Sequence, residues 1–264
     1  MSSQDTQKEK SSSTPYNSRE FWDGRAEEFS EYAATTGYSD QFIALMKVTP
    51  DLSVLDLGCG GGTICVPLAP KVQSITAVDF SPKMLEIVQH RCNSKGITNV
   101  KTCNCAWEED WEKAGIGVHD VAIASRSLMG ENFKVLVEKL DRKARKAVYI
   151  SSLVGDGPFD KALFESTGRK LNLGNDYIFY YNSLYEMGIR ANVAFCREDH
   201  VNSWSSFEEA FNDQLWMFQG MTRDEEESVR EYLKKKLSRS QDGRLTLPYS
   251  RICYWAVMWW NKEE

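Results

Sequence analysis

The chain has 264 residues, 42% of them hydrophobic and 27% charged, with a formal net charge of −6. That length fits one large domain with an insertion, or two modest ones. The acidic balance excludes a surface built to neutralise phosphates, so nucleic acid is not expected as the main partner, and no apolar run of about 18 residues marks a membrane span.

Residues 1–16 are polar, serine-rich and without hydrophobic period, which predicts a disordered tail ahead of a single domain at 17–264. From Asn17, the apolar and amphipathic residues Phe21, Trp22, Arg25, Phe29 and Tyr32 recur at helical spacing. A second short helix is predicted over 39–47. An alternating pattern follows: a strand at 53–57, a helix within 62–69 kept short by Pro67, and a strand at 74–80. Ser81 then caps a helix with Pro82 in its first turn and Leu85, Val88 and Cys92 on one face. Strands at 99–105 and 119–125, a helix at 131–144 and a strand at 146–153 complete the run. Short apolar strands alternating with helices predict an α/β fold, a mostly parallel twisted sheet covered on both faces.

The remainder is less regular. Residues 158–188 read as mainly helical, 188–196 as a strand and 206–219 as a helix. Thr222 and Glu225 form a capping box that opens a helix with lysines at its end, and 250–260 reads as the terminal strand. The core thus spans 38–153, with a largely helical insertion at 154–250 before the last strand. The seven cysteines are odd in number and form no C-x-x-C pair, so they read as reduced core thiols rather than disulfides or metal ligands. With no apolar leader, the expected setting is cytoplasmic.

The segment VLDLGCGGGT, residues 54–63, places four of the chain's 17 glycines in five positions between a buried strand and a helix. Such clustering means that backbone approaches something closely, at the sheet end where open α/β folds bind ligands. A dinucleotide fingerprint needs glycine where Thr63 or Cys65 stands, and a phosphate loop needs a lysine that is absent, so both readings fail. Asp79, at the end of the next strand, is placed to accept from a ribose diol.

The pattern that does fit is D-x-G-x-G-x-G: Asp56, Gly58, Gly60 and Gly62. Together with FWDGRAEEF, AVDFSPKMLE and HDVAIASRSL, in matching order and spacing over 17–153, it resembles the class I S-adenosylmethionine (SAM)-dependent methyltransferases, most closely their small-molecule, quinone-biosynthesis branch. The resemblance implies a Rossmann-like fold and SAM as cofactor, with S-adenosylhomocysteine (SAH) as product. It puts the loop with Cys59 under the methionine and ribose, and Asp79 on the ribose hydroxyls. Phe80 and Met84 would lie beside the adenine. Asp56 would orient the loop or reach the cofactor ammonium through water. The segment around Ala106 and Trp107 would meet the adenine edge. Where many members carry an aspartate there, this chain has Cys105, Ala106 and Trp107, so recognition would fall to backbone groups and Trp107, unless Trp107 is a core aromatic. Arg25 would approach the cofactor carboxylate or else form a surface ion pair.

A sulfonium methyl is already activated, so the protein mainly aligns the acceptor and excludes water. A base is required only if the acceptor must lose a proton, and no catalytic residue stands out. His90 and His119 read as surface residues, leaving His200 as a pocket candidate. Ser125, Arg126 and Ser127 fall where relatives meet cofactor and acceptor. Tyr181, in the stripe Tyr177, Tyr180, Tyr181 and Tyr185, would line an acceptor pocket or simply pack in the core. The absence of an Asn/Asp-Pro-Pro-Tyr motif argues against adenine or glutamine methylation. The expected partner is a small-molecule acceptor, with neither nucleic acid nor membrane, no metal, and a monomeric or homodimeric chain. The alternative is an accessory protein that binds the cofactor without transferring its methyl group. Residues 154–250 would act as a lid or else thicken the core or form a dimer face.

Overall fold

A computed structural model describes residues 18–128, 132–200, 202–218 and 220–262, excluding the side chain of His200. The expected tail at 1–16 lies outside them. Ser18 caps α1 (Arg19–Thr35), its hydroxyl accepting from the Phe21 N–H at 3.1 Å. Gly37, at φ +68°, turns the chain into α2 (Tyr38–Ala44). Then come β1 (Ser53–Leu57), α3 (Cys65–Leu68), β2 (Ser74–Asp79), α4 (Pro82–Ser94), β3 (Val100–Asn104), β4 (His119–Ser125), α5 (Phe133–Arg142) and β5 (Ala144–Leu153). The Ser81 cap is present, its Oγ accepting from Met84 N at 3.2 Å.

The second half holds α6 (Lys161–Glu165), α7 (Tyr177–Glu186), β6 (Asn192–His200), β7 (Ser203–Trp204), α8 (Phe207–Asn212), α9 (Arg223–Lys236), β8 (Ser238–Arg239), β9 (Leu245–Thr246) and β10 (Arg251–Asn261). The strand expected at 188–196 starts four residues later because 187–189 close α7. Gly188, at φ +83°, and Ile189 donate to Tyr185 O and Leu184 O.

One sheet runs in the order β3-β2-β1-β4-β5-β10-β6, parallel throughout except for β10, which is antiparallel to both neighbours. Period-two alternation serves both faces. Val54, Val121, Ile123 and Tyr149 meet α2, α3 and α4 on one side, while Leu55, Leu57, Ala122 and Val148 meet α5 and α7 on the other. The order reverses at β1 and β4, and their carboxyl ends open the crevice described below.

The insertion has a separate small core in which Leu163, Trp204, Phe211, Met217, Val229 and Leu233 pack together. Its three-stranded sheet, β7-β9-β8, is too short to leave a sequence signal. The capping box at Thr222 and Glu225 is formed, and Arg169 grips the same Glu225 carboxylate with Nε at 2.6 Å and Nη2 at 2.8 Å, tying the segment before α7 to α9.

Candidate active site

The glycine loop answers its own spacing. Gly58, at φ +65°, lies so close to Ser127 that a β-carbon would overlap the Ser127 side chain, whose hydroxyl donates to Leu57 O at 2.8 Å. Gly62, at φ +86°, would drive a β-carbon to 2.6 Å from Val66 Cγ2, which is helix packing rather than ligand approach. Gly61, absent from the motif, abuts Ser30 of α1. Arg91 fastens that contact by donating to Gly61 O at 2.8 Å and Ser30 O at 2.7 Å. Only Gly60 faces space, its nearest neighbours being Phe29 and Met84 at 3.9 and 4.0 Å. Of the four, it is the one that leaves room for a ligand.

Asp56, Gly58, Cys59, Gly60, Asp79, Phe80, Met84, Cys105, Ala106, Trp107, Ser125 and Arg126 all line one cleft, joined by Trp22 and Phe29 of α1. Asp79 accepts from Gly60 N at 2.8 Å and from Ser81 N at 2.9 Å, which leaves lone pairs on both oxygens. Asp56 is 1% exposed, and neither carboxylate oxygen has a well-formed hydrogen bond among the described residues, the Cys65 N–H and thiol facing it from α3 only loosely. Burial, reinforced by the Asp79 charge, pushes its pKa up to about 7. Burial raises Asp79 too. An orphaned carboxylate, an open glycine and a second acid at the next strand end fit SAM, whose ammonium and ribose hydroxyls supply the missing donors.

This arrangement sets a pH dependence. A carboxyl raised above its unfolded value keeps a proton that the unfolded chain has already lost, so the cofactor-free protein loses stability as pH rises from about 4 to about 7. Asp56→Asn is therefore expected to melt higher than the parent at about pH 8, with the difference closing toward about pH 5. The same variant should bind SAH more weakly. Melting curves across that range check it, and a variant no more stable at the alkaline end would count against the orphaned charge.

The third wall departs from expectation. The Ala106 N–H, a candidate for the adenine edge, donates instead to Glu109 Oε2 at 2.7 Å, and Ala106 O accepts from Trp111 Nε1 at 3.2 Å. That backbone is spent on its own turn. Trp107 lines the cleft while its ring packs 5.5 Å from Trp111, so it serves wall and core together.

Across the cleft, Tyr38 joins three elements. Its hydroxyl lies 2.8 Å from Ser125 Oγ and 2.7 Å from Ser151 Oγ, and burial pushes its pKa up to about 12, so it acts as a strut rather than a base. The Arg126 guanidinium stacks on its ring at 4.2 Å and pairs with Glu198 at 3.3 Å, and Glu198 also accepts from Trp255 Nε1 at 3.0 Å. Glu198 stands in the charged run Arg197–Asp199 at the end of β6 and Tyr38 is one aromatic among many, so neither carried a signal that sequence reasoning could use.

Besides Gly62, two candidates are not brought into this cleft, Arg25 and Tyr181. Arg25 turns toward the insertion, donating to Trp216 O at 3.5 Å and pairing with Glu28 at 3.7 Å, because α1 presents Trp22 and Phe29 inward. Tyr181 packs against the α5 and α7 side of the sheet and donates to Ala191 O at 3.2 Å; of the tyrosine stripe Tyr180 is buried core, Tyr177 and Tyr181 are half-buried and Tyr185 is exposed. The backbone of His200 ends β6 opposite Arg251, and its side chain lies outside the described residues. Among the described residues, none from 154–250 lines the cleft. That region reaches it indirectly, through Trp216 on Arg25 and Glu198 on Arg126. His119 bonds to Thr76 and Gly117 beside the amino end of β4, away from the cleft.

Residues 49–166 match a family model described as a methyltransferase domain. An uncharacterized protein from Haemophilus influenzae is 30% identical over 245 residues, covering 92% of this chain and 89% of its own length. An uncharacterized methyltransferase of Emericella nidulans is 30% identical over 148 residues, 54% of this chain and 46% of its own. A ribosomal RNA small subunit methyltransferase G from Phocaeicola vulgatus is 29% identical over 109 residues, 39% of this chain and 49% of its own. The chain thus spans about half the length of the latter two. A solved structure of a presumed methyltransferase from Bacillus halodurans C-125 shares the fold, with a TM-score of 0.59 at 14% identity, over 85% of this chain and 98% of that one. The chain belongs to one family with the Haemophilus protein along nearly its whole length, and its residues 49–166 form a methyltransferase domain on a Rossmann-like fold.

Proposed function

We propose that the chain transfers the methyl group of SAM to a small-molecule acceptor. The observation that carries this reading is the meeting, in one cleft, of the orphaned Asp56 carboxylate, the open Gly60 and Asp79. When bound, SAM supplies a methyl group already activated on a sulfonium. Asp56 would face the ammonium and Asp79 the ribose hydroxyls. Phe80, Met84 and Trp107 would flank the adenine. Trp22 and Phe29, 5.1 Å apart, wall the space beside Ser125 and Arg126 with aromatic rings, in keeping with a flat acceptor of the kind met in the quinone-biosynthesis branch. The net charge of −6 supports a small molecule over nucleic acid, and no helix of the described residues is long and apolar enough to cross a membrane. A cytoplasmic setting belongs to the same proposal.

A second reading, an RNA acceptor, draws on the names of two partial relatives that methylate ribosomal RNA. Incubation with methyl-labelled SAM and separate small-metabolite and RNA fractions tests both. Label in a low-mass product is expected, and label in RNA would favour the second reading. Tight SAH binding with label in neither fraction would leave the accessory-protein alternative.

In this reading α1 and the insertion close over the bound pair, coupled through Arg25 and Trp216. Amide hydrogen exchange should slow in α1 and across 154–250 when SAH and an acceptor are both present. Unchanged exchange in both segments would reduce the insertion to a structural role.

A further inference from the structure

Arg126 holds an unusual position. It is the one non-glycine among the described residues with a left-handed backbone, φ +57°, a conformation that persists only where the surroundings enforce it. The Arg126 N–H donates to Ser151 Oγ at 3.0 Å, and the bend carries the side chain across β5 toward β10 and β6. The guanidinium rests 4.2 Å from the Tyr38 ring centroid, 5.1 Å from Trp255 and 5.8 Å from Phe29. Its side chain is only 9% exposed.

Such a group would normally spend its five N–H donors on acceptors. Here Glu198 takes one, through Nη1 at 3.3 Å, and Nε and Nη2 have no hydrogen-bond acceptor among the described residues. Glu198 sits at the far end of the pair with its other oxygen held by Trp255, so its charge is shared between two donors. Arg126 is also the one lysine or arginine that lines the cleft among the described residues. A rigid, nearly buried fork with two nitrogens unspent, on a residue that lines the cleft, is suited to an anionic oxygen.

Two anions could come here: the carboxylate of SAM itself, or one on the acceptor. Strand order separates them. The glycine loop ends β1, and β10, against whose Trp255 the guanidinium packs, lies three strands away, about 14 Å at the usual spacing. Of the aromatic surroundings, Tyr38 and Trp255 belong to that far side, while Phe29 stands between it and Gly60. Resting on the methyl-transfer reading above, we propose that the acceptor is a flat molecule carrying an anionic oxygen, a carboxylate or an acidic phenol, which Arg126 binds with its free donors.

The test uses the full chain saturated with SAH. Binding of benzoate and naphthoate is compared with that of benzamide and naphthamide by ligand-observed NMR at about pH 8, with 4-nitrophenol, ionised at that pH, added as the phenolic arm. The parent protein should bind the acids, or the phenol, at least about tenfold more tightly than the amides. Arg126→Gln should erase that preference while leaving SAH affinity within about twofold. Removing the partner of a buried Glu198 risks the fold, so Arg126→Lys serves as a second variant. It keeps the charge opposite Glu198 but loses the planar fork, and should weaken binding of the preferred anion without lowering the melting temperature. Amides and acids binding alike, or neither binding, overturns the proposal. So does an Arg126→Lys protein that loses SAH but keeps methylthioadenosine, which would give the fork to the cofactor carboxylate. Failure of SAH to bind the parent chain would instead sink the methyl-transfer reading itself.

Discussion

Gly61→Ala, a change of one methyl group, is expected to destabilise the protein by about 2–3 kcal/mol and to loosen α1 over the cleft. The added β-carbon would overlap the Ser30 hydroxyl, lie 2.6 Å from Ser30 Cβ and press on Ile87 Cγ2 at 3.2 Å. Ser30 has nowhere to go. It is 1% exposed, its hydroxyl points at Met84 Sδ at 3.7 Å, and Arg91 clamps its carbonyl to that of Gly61. Asp23, accepting from the Ser81 hydroxyl at 2.5 Å, pins the same helix about two turns earlier. The strain can be released only by shifting α1, which carries Trp22 and Phe29 into the cleft. A fall of about 5–10 °C in melting temperature should appear, together with weaker SAH binding. Gly60→Ala is the control: it has a positive φ but open space, so it should cost less stability and impair binding directly. Equal melting temperatures for Gly61→Ala and the parent would mean that α1 is not seated on the loop as described.

Asp79→Ala carries the largest expected effect on binding. One carboxylate oxygen holds the Gly60 N–H and the other the Ser81 N–H, so Asp79 shapes the loop and the start of α4 before any ligand arrives. Its remaining lone pairs are the acceptors proposed for the ribose diol. Hydrogen bonds to a charged group contribute about 1.5–3 kcal/mol each, so losing two to the ribose should weaken SAH by about a hundredfold or more. Removing the carboxylate relieves its burial but leaves the Gly60 and Ser81 N–H groups unpaired, so Asp79→Asn, which keeps an acceptor, is titrated beside it and should also lose affinity. Calorimetric titration of the variant checks this. Affinity equal to the parent's would remove Asp79 from the site.

Much of the architecture was legible because the strands are short and apolar and the helix starts are capped. SVLDL and SITAVD read directly as buried strands, and Ser81-Pro82 marked the start of α4 to the residue. The glycine motif identified the cleft but misassigned its parts. Gly62 serves packing and Gly61, a non-motif position, makes the closest approach, since pattern spacing cannot say which glycine faces a helix that arrives from 30 residues upstream. Arg25 and Tyr181 each carry two readings in the sequence, and the structure places them by the second, an ion pair with Glu28 and packing against the core, because periodicity gives a helix two faces without saying which is inward. The Arg126 site was half visible. Its place after β4 followed from topology, but Glu198, Trp255 and Tyr38 come from separated elements and meet only in the folded chain.

The central claim, that the cleft between the glycine loop, Asp79 and Trp107 is a SAM site, is tested most directly by calorimetric titration of the full chain with SAH, beside NADH as a competitor that shares the adenosine but carries a pyrophosphate and a second nucleoside. One SAH bound per chain with micromolar affinity, weakened in Asp79→Ala and undisturbed by NADH, is the predicted result. No heat with SAH, or displacement of SAH by NADH, would contradict it.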